Sequence, residues 1–396
     1  AAAATLAARG CRVTVFKNRL DPREPGVERL RAAGCRLKEL AKLPLLPRMI
    51  YSAIAIFTYP LTFGYQAVRF YLSLRLRRRP DLLVISQGGN HDGWLYAQVA
   101  IRLRLPFVLI SQKATDLYWP LDTRRGWIRE AYEGARWSFF VSRHNLALTQ
   151  EQLGIRLEHA SVARNPFNVT WEASREWPRT DLGFRFACIG RLYPKEKGQD
   201  LVLRVLARPK WRARPVSLTF FGSGEQAAGL AGMADFLGLE NVRFGGFVQD
   251  VDAVWADHHA LVLPSRAEGL PLVLVEAMLC GRVAIVTDVA GNPEVVEDGV
   301  TGFLARAATE DALDEAMERA WQRRGEWREI GALAAERIRR LVPRDPAAVM
   351  ADHLLGLCDS APPAIEAGPG VGADQTTEAA PREEGRLRDR SLAGAS

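Results

Sequence analysis

From Asp81 onward the apolar positions fall into two alternating kinds of segment. "DLLVIS", "PFVLIS" and "WSFFVS" are compact apolar runs of strand length, whereas "DGWLYAQVAIRLRL", "RGWIREAYEGA" and "RHNLALTQEQLG" spread their apolar residues at helical spacing. Strand and helix in strict succession predict a parallel sheet with helices on both faces. "ASVARNPFNVTWEASREWPR" breaks the period and is dense in turn formers, which places a domain boundary near residues 165–182. A second alternation follows. Its strands run from "FRFACIG", "VSLTFFG" and "VRFGG" to "ALVLPS", "VAIVTD" and "TGFLA"; "DLVLRVLARP", "EQAAGLAGMADFLGL", "VDAVWADH" and "PLVLVEAMLCG" are the helices between them. The chain reads as α/β, two Rossmann-like domains in tandem over residues 1–168 and 180–342, with a terminal helix over 343–359.

Before Asp81 the pattern is less regular. "AAAATLAARG" reads as the last turns of a helix closing at Gly10, without the basic region and apolar core of a secretory signal. "CRVTVF" (11–16) is a short strand, and "VERLRAAGCRLKEL" a helix, a glycine stop and another short segment. Residues 49–66 carry no charge over eighteen positions, which barely reaches the length of a membrane span, and Pro60 and Gly64 interrupt it. "RFYLSLRLRRR" follows. The pattern fits a core helix with a solvated basic end, and also a segment lying on anionic headgroups. Residues 360–396 have too little apolar bulk to bury and read as a disordered tail.

Composition narrows the class only a little. Over 396 residues, 48% hydrophobic and 25% charged content fits a soluble globular protein, and the net charge of +7 favours acidic partners such as phosphates or anionic lipid. Nucleic-acid binding would rest on charge alone, because no basic and aromatic recognition motif accompanies it. The five cysteines are scattered, without metal-ligand spacing, and read as reduced thiols of a cytosolic protein.

Open parallel sheets bind ligands at the carboxyl ends of their strands, so the chemistry is sought there. "FACIGRLYPKEKGQD" ends its strand at Gly190 and then presents Arg191 and Lys197, two cations able to grip a diphosphate. Gly222-Ser223-Gly224 lets a ligand approach backbone, and the turn at Gly245, Gly246 and Phe247 can line a flat base. In "SRAEGLPLVLVEAMLCG" a helix should start near Pro271, with Glu268 in the loop before it and Glu276 on its second turn. At a rise of about 1.5 Å per residue the two carboxylates lie on the order of 10 Å apart, too far to share a proton or a metal. A helix N-terminus, which favours an anion, lies between them. The arrangement suits a ligand with hydroxyls at both ends and negative charge in the middle, such as a nucleotide sugar. In the first half, the strand ends "ISQGGNHDGW" and "ISQKATD" offer Gln87, Asn90, His91 and Asp92, and then Ser111-Gln112-Lys113.

The order GRL-x4-KG, GSG, GF turn and E-x7-E resembles the donor-binding half of the retaining family 4 (group 1) glycosyltransferases, which have the two-domain GT-B fold. The likeness is close over residues 184–305 and holds by element order only over 1–165. It implies that Arg191 and Lys197 hold the diphosphate of a nucleotide sugar without a metal or cofactor, with Gly190 and Gly222 leaving room for it. It further implies that Glu268 touches the sugar, that the Gly269, Leu270 and Pro271 backbone lines the phosphates, that Glu276 binds the ribose, and that Phe247 flanks the base. Many relatives carry a histidine after the second strand of the acceptor half; here His91 or Gln112 is left to take its place. Relatives also open with a strand and glycine-rich loop before the first helix, and this chain begins inside that helix, so the N-terminal domain is expected to lack its first strand, either because the sequence given is truncated or because the element is lost. The function implied is transfer of a sugar, with retention, to an acceptor held by the N-terminal domain. The basic and apolar segment 44–79 points to a lipid-linked or polysaccharide precursor at the inner membrane surface. A GT-B epimerase and a non-catalytic sugar-nucleotide-binding protein are the alternatives.

Overall fold

The computed structural model describes residues 1–18, 20, 25–40, 65–75, 78–172, 176–181 and 183–359. The uncharged segment 49–64 and the tail 360–396 lie outside the described residues.

Two parallel sheets carry the fold. The first has the order β3 (Leu83–Gly89), β4 (Phe107–Lys113), β5 (Trp137–Phe140), β6 (Ala160–Val162). Before it, β1 (Thr14–Lys17) and β2 (Arg36–Glu39) pair, among the described residues, only with each other, Thr14 opposite Arg36. The second sheet contains β7 (Phe184–Ile189), β8 (Val216–Phe221), β9 (Val242–Gly246), β10 (Ala260–Leu263), β11 (Val283–Thr287) and β12 (Phe303–Ala305), in the order β12-β11-β10-β7-β8-β9. All residues of β10 and β11 are buried. That is why they read as unbroken apolar runs: helices cover both faces of a parallel sheet, and no face is left for polar side chains.

The strand order of the second sheet reverses at β7. From there the chain builds outward through β8 and β9, then returns to β10 on the other side and continues to β11 and β12. Adjacent crossovers leave β7 and β10 in opposite directions, which opens a crevice at their carboxyl ends.

The helix Leu272–Leu279 begins directly after Pro271, whose fixed φ suits a helix entrance, and stops before Gly281 at φ 68°. The helix Tyr65–Arg75 buries Ala67, Val68, Phe70 and Leu74. Phe70 meets the rings of Phe16 and Tyr96 edge-on, at 5.6 and 5.1 Å. This part of the basic, apolar segment is a core helix. No helix among the described residues is long and apolar enough to cross a membrane.

The last helix, Pro346–Asp359, leaves the second sheet and returns to the first. Leu354 packs with Val108 and Phe139, His353 stacks on Phe139 at 5.9 Å, and Arg136 donates to the Leu357 carbonyl.

Candidate active site

The loops after β7 and β10 are stapled across the crevice. The backbone N–H groups of Arg266 and Ala267 donate to the Glu196 carbonyl, and the Arg266 guanidinium grips Asp200 at 2.7 and 2.9 Å and the Pro194 carbonyl at 2.7 Å. One glycine makes this approach possible, and another lets the loop after β8 meet the end of β7. A Cβ on Gly198, at φ 65°, would stand 1.9 Å from the Pro264 carbonyl oxygen, and one on Gly222, at φ 133°, 2.0 Å from that of Gly190. Only glycine fits either place.

A cleft of about 720 Å³ opens at the ends of β7, β8 and β9, lined among others by Gly190, Arg191, Tyr193, Gly222, Gly224 and Phe247. Six of the residues singled out in the sequence thus come together: Gly190, Arg191, Gly222, Ser223, Gly224 and Phe247. Phe247 is 69% exposed, free to offer a ring face at the mouth.

Lys197 and Glu268 form a second group. Lys197 Nζ donates to Glu268 Oε1 at 2.5 Å, and Ser265 Oγ donates to the same oxygen at 2.7 Å. Glu268 is buried, so it enters the site with its charge already partnered. Gly269 and Leu270 follow, and Gly269 presses against the first sheet: a Cβ there would stand 2.0 Å from the Gln112 carbonyl oxygen.

Glu276 is buried in the helix Leu272–Leu279. Its Oε1 accepts from both the backbone N–H and the side-chain Nδ2 of Asn168, each at 2.9 Å. Burial raises its pKa, the Asn168 hydrogen bonds pull it back, and Asp252 adds to the rise.

The first sheet contributes differently from the sequence expectation. Gln87 is buried, with Nε2 donating to Tyr132 Oη and Oε1 accepting from the Gly93 N–H; Asn90 is buried on Thr149 and Gln152. Both hold the fold. His91 sits on the turn after β3 with Nδ1 4.0 Å from Asp92. Gln112 Oε1 accepts from Asn165 Nδ2 at 2.5 Å.

Sequence reasoning missed Glu196 and named Lys113 only as the end of a strand, without a role. Lys113, the last residue of β4, reaches across to the second sheet, where Nζ donates to Glu196 Oε1 at 2.6 Å. Arg191 Nη2 donates to the other oxygen, Oε2, at 2.8 Å. Burial works to raise the Glu196 pKa, but Lys113, Arg191 and Lys197 together outweigh it and hold the carboxyl below its usual range. The one signal available was a lysine closing an otherwise uncharged strand.

Two parallel sheets with a glycine-lined cleft at the strand ends of the second define the class, a GT-B fold. In fold the chain is similar to the Anabaena HepE crystal structure in complex with UDP and glucose. The TM-score is 0.69 at 19% identity, over 90% of this chain and 95% of that one. Residues 183–323 match the family described as glycosyl transferases group 1. Among curated proteins, a GDP-mannose-dependent alpha-(1-6)-phosphatidylinositol monomannoside mannosyltransferase of Mycolicibacterium smegmatis is 29% identical over 287 residues, 64% of this chain and 74% of that protein. A D-inositol 3-phosphate glycosyltransferase of Mycobacterium ulcerans is 33% identical over 180 residues, 41% of this chain and only 39% of that protein. The second sheet domain is a group 1 glycosyltransferase domain, and the chain is a glycosyltransferase of the GT-B fold.

Proposed function

We propose that the protein moves a sugar from a nucleoside-diphosphate sugar in the cleft to a carbohydrate or lipid-linked acceptor presented by the first sheet, with retention of configuration. The observation that carries this reading is the placement of Arg191 on the glycine-lined cleft, with the Lys197–Glu268 pair on the neighbouring loop. Bond cleavage leaves negative charge on the departing diphosphate. Fixed cations at that point stabilise it without reorganisation, and a donor of this kind is worth on the order of 10²–10³ in kcat. In this reading Arg191 and Lys197 supply that stabilisation in place of a metal, Glu268 orients Lys197 and meets the sugar, and Glu276 takes the ribose hydroxyls. The departing phosphate then helps to deprotonate the acceptor. The lipid in the mycobacterial relative's name supports a peripheral place on the cytoplasmic membrane surface for the acceptor.

The mycobacterial relative is GDP-mannose-dependent and the Anabaena structure holds UDP, so the test leaves the base open. Melting temperature is measured with UDP, GDP and ADP, on the wild type and on Glu276→Ala. A ligand at 100 times its Kd stabilises the folded state by about 2.7 kcal/mol. One nucleotide class should raise the melting temperature of the wild type and lose that effect in the variant. A folded sample indifferent to all three would overturn the reading. Turnover unaffected by EDTA and an α-configured product from an α-linked donor, seen by NMR, are expected once the donor is known. Flotation with anionic vesicles checks the membrane.

A further inference from the structure

Arg191 is described above as the cation that meets the donor's diphosphate, yet in the structure it is already bound to a carboxylate. A buried carboxylate with a single arginine beside it ordinarily takes the guanidinium fork with both oxygens. Glu196 does not. Its Oε1 belongs to Lys113 at 2.6 Å, and Arg191 reaches only Oε2, through Nη2 at 2.8 Å. The Arg191 side chain remains 59% exposed and lines the cleft, against 7% for Glu196. Lys113 itself is firmly placed. It ends β4, pairs in register with Gly89, and follows Gln112, whose carbonyl is in backbone contact with Gly269.

We infer that Lys113 is a positioning residue for donor binding: it occupies one oxygen of Glu196, so that Arg191 pairs through a single nitrogen and keeps the rest of its fork for the diphosphate. This rests on the donor-site reading given above. It assigns to the acceptor-side sheet a part in donor affinity, exercised through Glu196 without contact with the nucleotide. Without Lys113, the anionic Glu196 would draw Arg191 into a two-point pair and turn it away from the cleft. Removing the carboxylate as well should release Arg191 again.

The experiment is a binding cycle with whichever of UDP, GDP and ADP the wild type takes, measured by calorimetry, with the matching nucleoside as a control lacking phosphate. Lys113→Met should weaken the nucleoside diphosphate about tenfold, which is 1.4 kcal/mol, and leave the nucleoside unchanged. Lys113→Arg should restore most of the affinity. The double variant Lys113→Met with Glu196→Gln should return to within about twofold of the wild type. In turnover the Lys113→Met defect should lie in KM for the donor more than in kcat. Thermal melts confirm that each variant is folded.

A folded Lys113→Met protein with wild-type affinity would overturn the inference. So would a double variant as weak as the single one, which would put Lys113 on the phosphate itself or make it a strut between the sheets. If the wild type binds none of the three nucleotides, the donor-site reading fails first and this inference with it. Because the wild type is measured before any variant, the two failures are distinguishable.

Discussion

Arg191 and Lys197 were legible because each lies a fixed number of residues past a strand end, where the chain cannot carry them far. Glu196 lies between them, and spacing alone gives it no more meaning than any charged residue in a turn. Its meaning comes from Lys113, 83 residues earlier and on another sheet, and no spacing rule connects the two. Glu276 shows a related limit. Its position on the second turn of a helix was readable, whereas its two hydrogen bonds from Asn168 depend on how the segment after β6 crosses the molecule. A buried carboxylate with a raised pKa costs stability at neutral pH. Glu276→Gln keeps an oxygen for Asn168 and removes the charge. The melting temperature should rise by about 2 °C, for a gain of roughly 1 kcal/mol or less, while nucleotide affinity falls. Calorimetric melts with and without nucleotide check both halves. Gly198→Ala should do the opposite. It places a methyl group 1.9 Å from the Pro264 carbonyl, so denaturant titration should show a loss of at least about 2 kcal/mol.

At the scale of elements, the alternation of short apolar runs and helical periods was enough to predict the parallel sheets, and Pro271 and Gly281 marked the ends of their helix. The helix Tyr65–Arg75 was harder, because an amphipathic pattern with arginines looks the same on a core and on a bilayer. Its burial of Phe70 against Phe16 and Tyr96 decides the matter for those residues. The last helix was visible as a helix, but its return to the first sheet was not, since periodicity gives a face and no partner. That partner can be tested. Leu354 is 4% exposed and packs with Val108 and Phe139. Leu354→Ala should therefore cost about 2–4 kcal/mol, read by urea denaturation.

For the whole molecule, acid sensitivity follows from His259. It is fully buried, its Nδ1 accepts from the Arg185 N–H, and the rings of Trp177 and Phe184 lie 5.5 and 5.3 Å away. Burial, with Arg185 adding to it, lowers its pKa to about 4. The unfolded chain takes up a proton near pH 6.5, where the folded chain still refuses it. The stability contributed by neutral His259 is thus complete above about pH 6.5, declines as pH falls, and is gone below about pH 4. The melting temperature should drop across that window, and less steeply in His259→Gln. The contacts between the sheets are of two kinds. Lys113 to Glu196 is a meeting of charges, whereas Gly269 meets the Gln112 carbonyl backbone to backbone, with no room for one further carbon. Burial shields the first from dissolved ions, and the second has no charge to screen. The joint between the halves is therefore largely deaf to salt, and a single methyl group at Gly269 is the wedge that would pry it open.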